Sequence, residues 1–179
     1  IEASAASGTG LGNYTISYAK GGLTVGKKAL TITAKDKSKT YGETVTFAGT
    51  EFTTEGLANT DAVSSVTLSS PGAASTAAVS STAYDIEASS ASGTGLGNYT
   101  ISYAKGGLSV GKKALTITAK DKSKTYGETV TFAGSEFTTE GLINNDAVSS
   151  VTLNSTGAAS TAAVSSTAYD IEASSASGT

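Results

Sequence analysis

The chain contains no cysteine, histidine, methionine or tryptophan, and its twelve basic residues are all lysines. Without cysteine and histidine, the usual ligands of zinc, haem and iron–sulfur clusters are missing. The same absence excludes thiol catalysis and a Ser-His-Asp triad. Disulfides are excluded as well, so the composition does not indicate a redox compartment. We therefore expect a protein that is not an enzyme and that has no cofactor or metal site.

Excess positive charge and long apolar runs are also lacking. Fifteen acidic residues outnumber the lysines and give a net charge of −3, whereas nucleic acids and anionic membranes attract basic patches. No apolar run approaches the roughly 20 residues that span a bilayer. Residues 1–10 lack the basic start and apolar core of a signal peptide. The sequence predicts no nucleic-acid partner and no membrane insertion, and any export signal would lie outside it.

Small residues dominate what is present, with 56 serines and threonines and 21 glycines. Such a composition is typical of flexible linkers. Aliphatic and aromatic residues nevertheless recur at the two-residue spacing of β-strands. We therefore expect ordered β-domains rather than a disordered chain.

The sequence repeats itself with a period of 85 residues. Residues 1–85 align with 86–170 without a gap, 78 of these positions are identical, and residues 171–179 repeat 86–94 unchanged. The period is longer than the 20–50 residues of solenoid units and suits a small separate domain. We expect a row of domains that multiplied by duplication. The differences are Ala5/Ser90, Thr24/Ser109, Thr50/Ser135, Ala58/Ile143, Thr60/Asn145, Ser69/Asn154 and Pro71/Thr156.

Alternating apolar residues predict five to seven strands in each period. Residues 14–18 form one strand, and a turn at residues 19–22 joins it in a hairpin to residues 23–25. The only predicted helix is short and lies in residues 59–68, where Asp61 can cap it and two valines lie three residues apart. Further strands are predicted at residues 30–34, 45–47, 66–68, 77–79 and 84–88.

Three segments of the period resemble the MBG domain of the YGX type. They are ALTITAKDKSKTYGE from Ala29, GLANTDAVSSVTL from Gly56 and the closing hairpin GNYTISYAKGGLTV from Gly12. The resemblance implies a mostly β (α+β) fold of small β-grasp-like domains with one short helix, arranged as beads in a rod or filament. It also implies a place in large bacterial surface adhesins, and it carries over no catalytic residues.

The resemblance also implies domain boundaries. We expect residues 1–28 to be the C-terminal part of a preceding repeat, residues 29–113 to be a complete repeat domain, and residues 114–179 to be a repeat domain that lacks its closing hairpin. Two explanations remain open. The chain can be a window of a longer array, or the start of one molecule can complete the end of the next by head-to-tail strand donation.

Two glycine-rich segments resemble nucleotide-binding loops only partly. Gly21–Lys28 approaches the pattern G-x-x-x-x-G-K-[ST], but Lys28 replaces the hydroxyl residue and strands, not a helix, flank it. We interpret this segment as turn and strand, and Gly8–Asn13 as a loop. Lysines that share one face are predicted to protect an edge strand, or alternatively to contact anionic glycans. These lysines are Lys35, Lys37 and Lys39.

Acidic and aromatic residues provide the remaining candidates. Glu51, Glu55 and Asp61 are predicted to be solvated surface groups, with a glycosidase pair or a weak calcium site as alternatives. The large aromatic residues are expected in the core or in contacts between domains, or alternatively in a carbohydrate-stacking platform. They are Tyr14, Tyr18, Tyr41, Tyr84, Phe47 and Phe52.

The sequence as a whole favours a structural role outside a bacterial cell. We expect a stalk or repeat region of a cell-surface adhesin or extracellular filament, which projects or links cells. Only residues 26–29 separate successive domains, so the array should be a semi-rigid rod whose partners are adjacent repeats or neighbouring subunits. The alternative is a weak multivalent module that binds glycans or host proteins.

Overall fold

The computed structural model describes all 179 residues, and the fold is mostly β, as predicted. It contains eleven strands, four 3-10 turns of three residues each and no α-helix. No helix is therefore long or apolar enough to cross a membrane. The strands are β1 (Lys28–Ala34), β2 (Lys37–Thr40), β3 (Phe52–Glu55), β4 (Ala62–Ser69), β5 (Tyr84–Thr94), β6 (Tyr99–Ala104), β7 (Gly106–Gly111), β8 (Thr116–Ala119), β9 (Phe137–Glu140), β10 (Val148–Asn154) and β11 (Glu172–Gly178).

We describe the chain in the three parts expected from the sequence: the leading segment (residues 1–28), the first unit (residues 29–113) and the second unit (residues 114–179). Strand β1 begins at Lys28, the last residue of the leading segment. Strands β1 to β7 build two sheets in the first unit, with strand orders β3-β1-β6 and β2-β7-β5-β4. The pairs β1–β6 and β2–β7 are parallel, and the other pairs are antiparallel.

Two chain segments cross side by side from one sheet to the other: β1 continues into β2, and β6 continues into β7. Strands β1 and β2 are separated only by Lys35 and Asp36, and β6 and β7 only by Lys105. At the crossing, the Asp36 Oδ1 atom accepts a hydrogen bond of 2.7 Å from the amide of Gly107. A Cβ atom on Gly106 would lie 2.5 Å from the Ala34 carbonyl oxygen, so only glycine allows this approach.

The predicted hairpin between residues 14–18 and 23–25 is wrong in both copies. In the second copy the equivalent strands β6 and β7 do not pair with each other, because the glycines let the chain continue into the other sheet. In the leading segment these residues form no strand. Residues 14–21 instead contact the start of the chain: the amide of Gly21 donates to the carbonyl oxygen of Ile1 at 2.9 Å, and the Tyr18 hydroxyl accepts from the amide of Ala6 at 2.7 Å.

The predicted helix at residues 59–68 is also wrong, because strand β4 occupies most of this segment. The pairing of β4 with β5 is irregular, with register shifts between Val63 and Ser65 and between Ser65 and Thr67. Such a bulge inserts one extra residue, so Val63 and Val66 both turn towards the core although they lie three residues apart. The spacing that resembled a helix is therefore the spacing across a β-bulge.

The other strand predictions differ in their outcome. Strands are confirmed at residues 30–34, 66–68 and 84–88, and the first unit has seven strands, within the expected number. No strand forms at residues 45–47 or 77–79. The backbone of residues 45–47 still makes a tertiary hydrogen bond, from the amide of Val45 to the carbonyl oxygen of Ala73 at 2.9 Å.

The core lies almost entirely in the first unit. Eleven of the twelve buried residues belong to it, and Val151 is the twelfth. One cluster, between β1, β4 and β6, contains Leu30, Ile32, Val66 and Tyr99. The other, between β1, β5 and β7, contains Ala34, Ile86 and Leu108. Each cluster thus includes a residue from the segment that carries β6 and β7.

The second unit has the same sequence as the first up to Thr179 apart from a few substitutions, but its sheets are smaller. It forms two separate two-stranded sheets, β8–β9 and β10–β11. Leu115 is 42% exposed, whereas its counterpart Leu30 is completely buried. Ile171 is likewise partly exposed where Ile86 is buried. The difference lies in the neighbouring strands and not in the local sequence.

This contrast predicts unequal effects of one substitution at equivalent positions. Leu30→Ala should destabilise the first unit by about 2–5 kcal/mol, because it opens a cavity in a closed core. Leu115→Ala should cost much less in the monomer, since Leu115 already contacts solvent. Urea denaturation followed by circular dichroism measures both effects, and equal losses for the two variants would refute the assigned cores.

Candidate functional site

The sequence Tyr41-Gly42-Glu43 forms a tight turn at the end of β2. The amide of Glu43 donates to the Thr40 carbonyl oxygen at 3.1 Å, and φ of Gly42 is +93°. A positive φ at the third position is what a type II turn requires, and glycine adopts it without strain. The Glu43 side chain closes the turn by accepting a 2.7 Å hydrogen bond from the Thr40 amide.

This turn lies where the two units meet. The Tyr41 hydroxyl donates to Asp146 Oδ1 at 3.4 Å, and the Asn144 side-chain amide donates to the carbonyl oxygen of Ser75 at 3.1 Å. The same carbonyl oxygen accepts from the amide of Gly42 at 3.1 Å. The turn and the segment around residue 75 in the first unit therefore hold residues 143–146 of the second unit, and we call this contact the junction.

An apolar contact accompanies the hydrogen bonds of the junction. A Cβ atom on Gly42 would overlap with Cδ1 of Ile143, so the glycine leaves the space that the isoleucine fills. The counterpart of Ile143 in the first unit is Ala58, which is too short to make such a contact. Two of the seven differences between the repeats, at positions 143 and 145, thus lie in the junction, and Ile143 makes its apolar contact.

The junction predicts that two substitutions loosen the connection between the units. Tyr41→Phe combined with Ile143→Ala removes the hydroxyl donor and the side chain against Gly42, and alanine occupies the equivalent position 58 without loss of the same turn. We expect the two units to tumble more independently in ¹⁵N relaxation measurements.

The matched control for this experiment is Tyr126→Phe. Tyr126 is the counterpart of Tyr41 in the second unit, is 67% exposed and makes no hydrogen bond through its hydroxyl. Its substitution should leave the relaxation of both units unchanged. If the double variant relaxes like the control, the junction does not restrain the units.

Glu51 organises the turn before β3 rather than lining a cleft. Its carboxylate accepts hydrogen bonds from the amides of Ala48, Gly49 and Thr50 at 3.0, 3.0 and 3.1 Å, and Lys37 Nζ lies 3.5 Å away. The hydrogen bond from the Ala48 amide, with smaller contributions from the other amides and Lys37, lowers the pKa of Glu51 to about 2. Its counterpart Glu136 in the second unit has its pKa lowered to about 2 in the same way, chiefly by the amide of Ala133.

The three acidic candidates do not converge on one site. Glu55 is exposed at the end of β3, and Asp61 accepts a 2.8 Å hydrogen bond from the Tyr99 hydroxyl. The structure contains no group of three or more acidic residues that could hold a metal ion. Glu51 was predicted as a solvated surface group, and its role in three backbone hydrogen bonds could have been found only by recognising the turn it closes.

The lowered pKa of Glu51 gives the stability a defined pH dependence. Its folded-state pKa lies below its ordinary value of 4.5. Its contribution is therefore present above pH 4.5 and is lost as the pH falls towards 2. Glu51→Gln should lower the stability of the first unit at pH 7 by about 1–3 kcal/mol, since hydrogen bonds to a charged group are lost.

Thermal melting of this variant between pH 2 and pH 7 tests the assignment. The loss of stability on acidification should be smaller than in the unmodified chain. Glu55→Gln is the control, because the Glu55 side chain is exposed and makes no hydrogen bond or ion pair. Parallel pH profiles for Glu51→Gln and the unmodified chain would contradict the role of this carboxylate.

The lysines of β2 only partly follow the sequence prediction. β2 is an edge strand, as expected, and Lys35 is exposed. Lys37 Nζ lies 5.6 Å from the centre of the Phe47 ring. Lys39 instead points inward, is 7% exposed, and its ammonium group donates to the carbonyl oxygens of Glu43 and Ala74. Lys39 thereby connects the Tyr-Gly-Glu turn to the segment around Ala74. A lysine that donates to backbone carbonyl groups has no distinctive pattern in the sequence.

The two glycine-rich candidates are placed in extended chain. The segment Gly21–Lys28 leads directly into β1, and its second copy forms β7. Neither copy is followed by a helix. Gly8–Asn13 and its copy each contain a 3-10 turn of three residues. Neither segment has the helix N-terminus that phosphate binding requires.

The aromatic residues do not form one platform. Tyr99 is 4% exposed, and its hydroxyl accepts a 2.9 Å hydrogen bond from the amide of Ala58 while donating to Asp61. Burial, followed by the hydrogen bond to Asp61, raises the pKa of Tyr99. Its counterpart Tyr14 in the leading segment is 74% exposed. Tyr84 donates to the carbonyl oxygen of Ala78.

An open groove of about 340 Å³ lies on the second unit. In the first unit the equivalent space is filled by Leu108 and Val110 of β7, which are 0% and 4% exposed. We call the space on the second unit the open groove. Its lining includes Lys122, Val130, Phe132, Ala158, Tyr169 and Ile171.

Two consecutive copies of one β-rich unit, joined by a direct contact, define a tandem β-repeat protein. A family model of the MBG domain (YGX type) matches residues 30–109 and 115–179. The chain therefore belongs to the MBG domain (YGX type) family, whose members are repeat modules found in bacterial surface proteins. No curated protein and no solved structure matches the chain.

Proposed function

We propose that this chain is a structural repeat region of a bacterial cell-surface adhesin or extracellular filament, which projects or links cells. In this proposal each period of 85 residues is an independently folded, β-grasp-like domain without the helix. The domains act as beads of a rod outside the cell. The proposal assigns no catalytic residue and no cofactor.

The junction is the observation that carries this proposal. Only residues 112–115 lie between β7 of the first unit and β8 of the second. Tyr41, Gly42 and Ser75 on one side contact Ile143, Asn144 and Asp146 on the other. A connection this short, together with hydrogen bonds and an apolar contact, restricts bending. This stiffness is what a stalk needs in order to hold a terminal domain away from a surface.

The distribution of polar groups agrees with a structural role. Glu51 and Glu136, the carboxylates whose pKa values are strongly lowered, accept hydrogen bonds from backbone amides. Lys39 donates hydrogen bonds to backbone carbonyl groups. No buried side-chain nitrogen or oxygen atom lacks a hydrogen-bond partner. These three side chains thus stabilise turns, and none of them points into a cavity with its hydrogen-bonding groups unpaired.

The alternative is a weak multivalent module for glycans or host proteins. The open groove has aromatic and lysine residues, which suit a sugar ligand. Its counterpart in the first unit is closed by the chain's own Leu108 and Val110. The structure therefore favours the structural role over a ligand groove that every repeat would share.

The shape of the molecule in solution tests the stalk proposal. Small-angle X-ray scattering on dilute chain, and on chains lengthened by whole periods, should give a maximum dimension that grows in proportion to the number of units. A flexible string would grow roughly with the square root of that number, and this result would refute a rod. Glycan-array signal that rises with the number of units would favour the alternative.

A further inference from the structure

The open groove of the second unit lies where β7 would be, and the adjoining edge of β8 lacks the partner that β6 gives to β1. In the first unit, β6 lies parallel to β1, while β7 lies between β2 and β5. The second unit has the counterparts of β1, β3, β4 and β5 as strands, but nothing lies where β6 and β7 would be. Leu115 and Tyr169 are consequently 42% and 41% exposed.

The leading segment carries the sequence that fills this space in the first unit. Residues 10–28 are identical to residues 95–113 except that Thr24 replaces Ser109. Ser109 faces solvent in β7, so this difference does not affect the fit. The residues that would be buried belong to no strand in the leading segment. Tyr14, Leu23 and Val25 are 74%, 77% and 87% exposed, whereas their counterparts Tyr99, Leu108 and Val110 are buried.

We propose that the leading segment of one molecule inserts into the open groove of a second copy of this chain and completes its two sheets. Residues 14–19 then pair in parallel with residues 113–118, in the register of β1 and β6. Residues 23–26 pair with residues 122–125 on one side, and residues 21–23 pair with residues 169–171 on the other, in the registers of β7. Leu23 and Val25 fill the groove.

Polar groups of the two molecules are complementary in this arrangement. In the first unit, Lys105 Nζ lies 2.8 Å from Asp85 and 3.1 Å from Glu87. Its counterpart Lys20 would meet Asp170 and Glu172 of the second copy in the same way. Asp121 would accept the amide of Gly22, as Asp36 accepts that of Gly107.

The junction and the inserted segment can use Asp146 at the same time. Tyr41 donates to Asp146 Oδ1, whereas Tyr99 donates to Oδ2 of the equivalent Asp61. Tyr14 of the donor molecule would therefore bind the oxygen of Asp146 that Tyr41 leaves open. Filling the groove does not require the junction to break.

Insertion requires residues 1–9 to leave their present place. These residues repeat residues 171–179 with one change, and Ile1 pairs with Gly21 through two hydrogen bonds of 2.9 Å, where Ile171 of the acceptor would pair instead. The ion pair between Lys20 and Glu2, at 2.6 Å, is also exchanged. All of these groups are exposed to solvent, and an exposed ion pair contributes little to stability.

The association propagates because donor and acceptor surfaces lie at different ends of the chain. Lys28 leads directly from the donor segment into β1, just as Lys113 leads from β7 towards β8. The second unit of the acceptor and the first unit of the donor are therefore arranged like the first and second units of one molecule, and each added molecule repeats this arrangement. Such a head-to-tail contact is heterologous and does not close on itself. The product is a linear polymer in which Tyr126 meets the loop around Ala58 of the next molecule.

Charge substitutions in the leading segment test the proposal. The chain is refolded at several concentrations and its mass is measured by light scattering after size exclusion. The unmodified chain should form a ladder of oligomers that lengthens with concentration. Leu23→Asp combined with Val25→Asp should remain monomeric, because two carboxylates would have to enter the groove. Both side chains are exposed in the free chain, so the variant keeps its fold.

The matched control is Thr24→Asp. Residue 24 lies between the two substituted positions, but its counterpart Ser109 faces solvent. This variant should associate like the unmodified chain, with a midpoint concentration within about threefold, whereas the double variant should need a concentration at least roughly tenfold higher. A monomeric unmodified chain at all concentrations overturns the proposal. Equal association of all three chains, or equal loss in both variants, overturns it as well.

Two further chains separate strand insertion from other association. A chain to which residues 95–113 are added after Thr179 fills the groove within the molecule and should stay monomeric. Thr24→Cys combined with Ser123→Cys places the only two cysteines opposite each other, in the register of Ser109 and Ser38. Oxidation should yield covalent ladders longer than dimers. Single-cysteine variants can form only disulfide-linked dimers. If the double variant also forms nothing longer than dimers, the proposed register between residues 24 and 123 is contradicted.

Discussion

The structure depends on one pairing: the continuous segment β1–β2 runs beside the continuous segment β6–β7 as both cross between the two sheets. Each core cluster of the first unit contains a residue contributed by β6 or β7, so neither sheet closes without them. The second unit shows the consequence, since the same sequence leaves Leu115 exposed where Leu30 is buried. Local sequence determines which residues can pair, while burial is determined by a segment about 70 residues away in the chain.

The sequence predicted the period, the mostly β fold and several strands, because these follow from repetition and from two-residue alternation. It failed at three kinds of residue. The bulge near Ser65 put Val63 and Val66 on one face and imitated a helix. Gly106 permitted a crossing where a turn was expected, because the Ala34 carbonyl oxygen lies too close for any side chain. Lys39 was turned inward by carbonyl groups that come from distant parts of the chain.

The candidate sites also differed in whether local sequence could predict them. The absence of a helix after Gly21–Lys28 was predictable, because strand alternation surrounds it. The junction was not, since its hydrogen bonds join residues about 70 and 105 positions apart. The sequence did contain one relevant signal: Ile143 is the largest of the few changes between nearly identical repeats. Changes at this position can alter the contact between neighbours without altering the fold of either unit, which offers a way to vary stiffness along an array.

The dependence of each core on the segment carrying β6 and β7 can be measured directly in the unmodified chain. Residues 29–49 and 114–134 are identical in sequence, so their intrinsic hydrogen-exchange rates are the same. Hydrogen exchange in dilute solution should show strong protection of the amides in β1 and rapid exchange of the same amides in residues 114–119. Equal protection of the two copies in a monomer would contradict the account, because it would mean that a unit closes its core without this segment.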